Sequence, residues 1–118
     1  MCQKAFGNFF APLVSIPDGA LTWTKAEPAR FRSSNLVLRG FCPACGTPLT
    51  YEAPDGLAVA IGAFDHPERI EPSIQYGSEG RIAYLDHIND WPHRRTLDDL
   101  EAAPFLDKII SYQYPDEP

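Results

Sequence analysis

The sequence predicts a mainly β protein, an antiparallel sheet fold with short helical turns near the C-terminus. Twelve prolines are scattered through 118 residues, from Pro12 to Pro118. A helix-interior proline removes a hydrogen bond and clashes with the preceding turn, so every helix is short and a helical bundle is excluded. The turn-forming groups Pro17-Asp18-Gly19, Ser33-Ser34-Asn35 and Pro54-Asp55-Gly56 recur between short, largely apolar runs, which is how strands joined by reversals look. Length leaves room for one domain over residues 1–118. With 44% hydrophobic and 22% charged residues, the composition is that of a globular chain, not a disordered or membrane one.

In chain order, residues 8–16 are mostly apolar and end at Pro17-Asp18-Gly19, so a strand and a turn are expected there. Segments 21–25 and 29–33 carry Thr, Trp and Phe and are separated by Glu27-Pro28. With 36–41 they predict a meander of antiparallel strands. Residues 48–53 alternate, Leu49 and Tyr51 against Thr50 and Glu52, and Pro54-Asp55-Gly56 turns them into 57–63 as a hairpin. One helical turn is expected in 65–69, where Pro67 suits a first helical position. In 73–85 two short strands are expected around Gly77-Ser78-Glu79-Gly80. Thr96-Leu97-Asp98-Asp99 matches a helix cap that Pro104 must interrupt, and residues 115–118 are expected to fray.

The charge balance, 16 acidic against 10 basic residues for a net −6, argues against nucleic acid or anionic lipid as a partner. No run approaches the ~18 apolar residues of a membrane span. The start, MCQKAFGNFF, lacks the apolar core of a signal peptide. A cytoplasmic location with reduced thiols is therefore expected.

Three cysteines, Cys2, Cys42 and Cys45, cannot all be satisfied by internal disulfides. Cys42-Pro43-Ala44-Cys45-Gly46 lies between two strand-like segments and has the spacing of a zinc knuckle. Two thiolates so spaced can share a tetrahedral metal, because the turn aims backbone N–H groups at the sulfurs and a glycine after the second cysteine accepts the left-handed backbone. A redox pair is the rival reading, but it needs a helix that Thr47-Pro48 forbids; plain buried thiols are the third. A structural zinc takes four ligands. Cys2, His66, His87, His93 and Asp65 are the available additions, and each histidine reads more simply as a surface group. Phe6, Phe9, Phe10, Phe31 and Phe41 read as core. Lys4 and Arg32 could attract a carboxylated thiol, though ordinary surface roles are the simpler reading.

Several pieces stand in a specific order and spacing: Cys2-Gln3-Lys4-Ala5, Phe9-Phe10-Ala11, Arg30-Phe31-Arg32-Ser33-Ser34, and Arg39-Gly40-Phe41 leading into Cys42-Pro43-Ala44-Cys45-Gly46-Thr47-Pro48-Leu49-Thr50-Tyr51. Ile61-Gly62-Ala63-Phe64-Asp65 with Pro67, and Ser111-Tyr112-Gln113-Tyr114-Pro115-Asp116, extend them. In these pieces the chain resembles the glutathione-dependent formaldehyde-activating enzyme family. The resemblance implies an antiparallel, tent-like zinc fold and carbon–sulfur lyase chemistry on the adduct of glutathione and formaldehyde. It makes Cys2 the last cysteine of the cluster that holds the family's catalytic zinc, and Cys42 and Cys45 half of a structural zinc site.

Against the family pattern the chain starts inside the first cluster, as an N-terminally shortened member would, and Tyr84 stands where many relatives carry Trp. Zinc is thus expected of a full-length member and weakly or not at all of this chain. Two functions follow from the resemblance: a lyase-like protein acting on a small-molecule thiol–aldehyde adduct, inactive in shortened form, with Cys2 as its catalytic residue; or a non-catalytic, zinc-stabilised binding module. An exposed apolar patch around Cys2 would favour the module, a ligand pocket the enzyme. A strand missing from the N-terminus would leave an open sheet edge, so a homo-oligomer is expected.

Overall fold

The computed structural model describes residues 1–113. Residues Met1–Arg81 form one compact unit and those from Ile82 onward a second.

The first unit is built on a five-stranded antiparallel sheet: β1 (Leu13–Ile16), β2 (Ala29–Arg32), β3 (Leu38–Phe41), β4 (Pro48–Ala53) and β5 (Gly56–Ala60), in the spatial order β1-β5-β4-β3-β2. The mainly β, antiparallel architecture read from the sequence is what the chain adopts. β2 and β3 are the two strands of the expected meander that form, β4 and β5 make the expected hairpin, and the cysteine knuckle joins β3 to β4. Ser34 Oγ accepts from the N–H groups of Leu36 and Val37 at 3.2 and 3.1 Å between β2 and β3. Between β4 and β5 the pair Ala53–Gly56 closes a tight hairpin. The Pro17 turn also forms, with Ala20 N–H donating to the Pro17 carbonyl at 3.1 Å. β1 then pairs with β5, from Leu13 opposite Ala60 to Ile16 opposite Leu57. The first and last strands thereby meet, leaving β1 and β2 as edges.

Three expectations fail locally. The chain opens with a short helix, α1 (Cys2–Phe6), ended at Gly7, and strand begins only at Leu13, not at residue 8. Residues 21–25 form no strand. Leu21 and Trp23 instead lie with Ile16, Leu49, Val59 and Phe64 around an apolar cleft against the sheet, where covering apolar surface is worth more than edge pairing. Residues 73–85 contain no strand either; 3₁₀ turns at Ser78–Gly80 and Ala83–Asp90 occupy this stretch. Alternating polarity makes a strand only where a partner ladder is offered.

The expected turn near residue 67 is a 3₁₀ turn with Pro67 at its start. In the second unit, 3₁₀ turns span Thr96–Asp99 and Pro104–Lys108. The cap there is not Thr96: Asp98 Oδ2 accepts from the Arg95 N–H at 2.9 Å, one position earlier than the sequence reading. The expected frayed tail lies outside the described residues. No helix among the described residues is long and apolar enough to cross a membrane.

The buried apolar residues, Val37, Ala58, Val59 and Ala60, lie on β5 and just before β3. Of the phenylalanines read as core, Phe6, Phe9 and Phe41 are half-buried. Phe10 and Phe31 are 55% and 44% exposed. Phe31 is exposed because it forms the wall of an open cleft, its ring centroid 5.9 Å from that of Phe41.

Candidate functional site

The knuckle forms as a closed turn: Cys42 N–H donates to the Thr47 carbonyl at 2.9 Å and Gly46 N–H to the Cys42 carbonyl at 2.7 Å. Gly46 has φ of 76°, the left-handed backbone that the sequence reading assigned to this glycine. Both thiols are free and half-buried. Cys45 Sγ lies 3.0 Å from Thr47 Oγ1. The Thr47 hydroxyl, then its backbone N–H, then the Cys42 thiol hold the Cys45 thiol below the ordinary cysteine range. These groups favour the anionic sulfur by donating to it.

Cys2 lies on α1, 37 residues before its partner. Arg39, at the middle of β3, donates from Nη2 to Cys2 Sγ at 3.3 Å and from Nε to Ser33 Oγ at 2.9 Å. The guanidinium carbon lies 5.9 Å from the centroid of the Phe6 ring and 5.0 Å from that of Tyr51, the residue opposite Arg39 on β4. Both are cation–π distances. Arg39 is 3% exposed, and its Nη1 is buried with no hydrogen-bond partner among the described residues. Arg39 was not among the residues singled out in the sequence. The available signal was a charge inside the apolar run Leu36-Val37-Leu38-Arg39-Gly40-Phe41.

Beside this arrangement is a cleft of about 260 Å³, lined by Arg39 with Ala5, Phe6, Phe31, Phe41 and Pro48 among others. Its walls come from α1, β2, β3 and the start of β4, so the cleft exists because α1 lies over the end of the sheet near the knuckle. Lys4 and Arg32 are exposed and line no part of it. His66 Nδ1 is 3.2 Å from Glu68 Oε1, and Asp65 is exposed. In the second unit His87 faces Asp90 at 3.7 Å and His93 Nε2 lies 3.1 Å from the Asn89 carbonyl.

A zinc ion does not fit this donor set. Among the described residues no group of three or more His, Cys, Asp or Glu side chains is placed to hold a metal. The knuckle offers two thiols of the four ligands a closed site takes, and the Cys2 sulfur accepts from a guanidinium, a cation that competes with a metal for the same lone pairs.

Residues 1–78 match the family model of the glutathione-dependent formaldehyde-activating enzyme. The chain belongs to this family. The match contains the whole sheet, α1, the knuckle and the cleft, and ends before the C-terminal residues that entered the resemblance, of which Tyr114, Pro115 and Asp116 lie outside the described residues. No curated protein matches the chain, and no solved structure does.

Proposed function

We propose that the chain is a carbon–sulfur lyase-like protein acting on thiol–aldehyde adducts of the glutathione–formaldehyde type, in the cleft beside Cys2. One observation carries this reading within the family: Cys2 Sγ is held by Arg39, which lines a cleft walled by Phe6, Phe31 and Phe41. In the addition, substrate sulfur bonds to the aldehyde carbon, the carbonyl electron pair moves to oxygen, and the thiol proton ends on that oxygen. The reverse breaks the carbon–sulfur bond. Cys2 is the catalytic residue, relaying the proton between substrate sulfur and oxygen while Arg39 holds it in place. The walled cleft, in place of a flat apolar patch, favours this reading over a non-catalytic binding module. A reducing cytoplasm suits the chemistry, since Cys2, Cys42 and Cys45 are all free.

Exchange between glutathione, formaldehyde and S-hydroxymethylglutathione, followed by NMR at equilibrium, tests the proposal. Against the inactivity expected of a shortened member, the chain should accelerate exchange, and Cys2→Ser should remove the acceleration. An unchanged exchange rate at stoichiometric protein rejects it.

A further inference from the structure

At the knuckle the described residues supply only two of the ligands a closed zinc site takes. Cys2, the one further cysteine in the sequence, is engaged by Arg39 at 3.3 Å. Among the described residues no third His, Cys, Asp or Glu side chain joins Cys42 and Cys45 in a group that could hold an ion. The two knuckle thiols are thereby left to each other.

Their placement suits a bond between them. Gly46 N–H donates to the Cys42 carbonyl at 2.7 Å and Cys42 N–H to the Thr47 carbonyl at 2.9 Å, so the backbone from Cys42 to Thr47 is closed on itself. Residues three apart inside such a turn have Cα atoms within about 7 Å, the reach of a disulfide. The Cys42 thiol is already a hydrogen-bonding neighbour of the Cys45 sulfur. Pro43, Ala44 and Gly46 are exposed and both cysteines are half-buried, so a small reagent reaches the sulfurs with the sheet intact. A thioredoxin-type pair stays excluded, because Pro48 opens β4 and no helix follows the knuckle. Closing a disulfide requires proximity and not that helix.

We propose that Cys42 and Cys45 form a reversible dithiol–disulfide pair that exchanges with low-molecular-weight disulfides. One knuckle thiol, giving up its proton, attacks a sulfur of the small disulfide. The small S–S bond breaks, its electron pair leaves on the other half, that half takes the proton, and a mixed disulfide with the protein remains. The second knuckle thiol then attacks the protein sulfur of the mixed disulfide, which closes the Cys42–Cys45 bond and releases the second small thiol with the second proton. Two protein thiols are oxidised and one small disulfide is reduced to two thiols; an excess of small thiol runs the sequence backward. In a reducing compartment a pair of this kind rests as the dithiol and closes transiently. Phe41, Gly46 and Pro48, which flank the two cysteines, line the cleft beside Arg39, so the exchange takes place next to that cleft.

The test uses the unmodified chain, free of metal, equilibrated with bis(2-hydroxyethyl) disulfide and 2-mercaptoethanol at varied ratio, quenched by alkylation and mapped by peptide mass. Cys42 and Cys45 should lose alkylation together as the disulfide comes into excess, in a peptide two hydrogens lighter, and should regain it when 2-mercaptoethanol is restored. Cys42→Ser should stop the reaction at a mixed disulfide on Cys45. Thiols that stay alkylatable in disulfide alone overturn the proposal. So do mixed disulfides that persist on both cysteines without closing, and a bond from either one to Cys2. Equimolar zinc added before the disulfide gives a further arm: oxidation should still run to completion, and protection of both thiols would make the knuckle a closed metal site and overturn the proposal.

Discussion

Arg39 donates from Nη2 to Cys2 Sγ at 3.3 Å, so the second residue of the chain is fastened to the middle of the central sheet by a charge-assisted contact. This bond gives Cys2 a defined position on a five-residue helix that would otherwise be too short to order itself.

Replacing Cys2 by Ser should leave the fold intact. The hydroxyl can still accept from the guanidinium, and Cys2 is only half-buried, so a stability loss of about 1 kcal/mol or less is expected. Adduct exchange should fall by about 10²-fold or more, the usual worth of a positioned proton-transfer group. Thermal unfolding and NMR exchange on the same sample check both halves.

Arg39→Met should be nearly neutral for stability, within about 1 kcal/mol. It removes an uncompensated buried cation and fills similar volume with an apolar chain. Denaturant unfolding measures it. A loss above about 3 kcal/mol would show that the sheet depends on the guanidinium.

Thr50 Oγ1 is buried without a hydrogen-bond partner among the described residues. By strand alternation Thr50 points to the sheet face opposite Arg39 and Tyr51, where a β-carbon on Gly40 would meet its hydroxyl and the Pro28 ring. Thr50→Val should therefore stabilise, by about 1 kcal/mol, because it replaces an unsatisfied hydroxyl with a methyl group. Gly40→Ala should destabilise by about 1–3 kcal/mol through overcrowding. The two midpoints in urea should move in opposite directions.

The Thr47 hydroxyl, its backbone N–H and the Cys42 thiol lower the Cys45 pKa in the folded chain. The fold thus favours the thiolate. The associated stability is present above the unfolded cysteine value, 9.0, and is lost as pH falls through the lower folded value. Alkylation of Cys45 by iodoacetamide in metal-free protein should set in at lower pH than for an unstructured cysteine peptide. Thr47→Val should move the onset back up; coincident profiles for peptide, parent and variant would contradict this reading.

With two knuckle thiols and no third donor grouped with them among the described residues, metal content after dialysis should fall below one zinc per chain, and chelator should shift the unfolding midpoint little. Tightly held, equimolar zinc would show that another chain supplies ligands. Sedimentation speaks to the same point, since the open edges β1 and β2 are places where copies can pair, and a homodimer is expected. Monomer at every concentration rejects it.

What could be read directly from the residues was short-range. Pro17-Asp18-Gly19, Ser33-Ser34-Asn35 and Pro54-Asp55-Gly56 each specify a reversal within a few residues, so the β2–β3 pair and the β4–β5 hairpin were legible. The same holds for the knuckle, where two residues of spacing and a following glycine already imply Gly46 in the left-handed conformation. The family too was carried by local motifs along the first 78 residues. Tertiary structure decided what depends on residues far apart in the chain. The pairing of β1 with β5 joins Leu13 to Ala60, a choice no local signal encodes. The burial of Arg39 and its bond to Cys2 exist only because α1 lies over β3, and Phe31 became a cleft wall instead of core for the same reason. A side chain's burial and free hydrogen-bonding capacity are set by what the rest of the chain brings against it. The sequence reading left Lys4 and Arg32 as surface cations, which they are, and only the assembled sheet singled out Arg39.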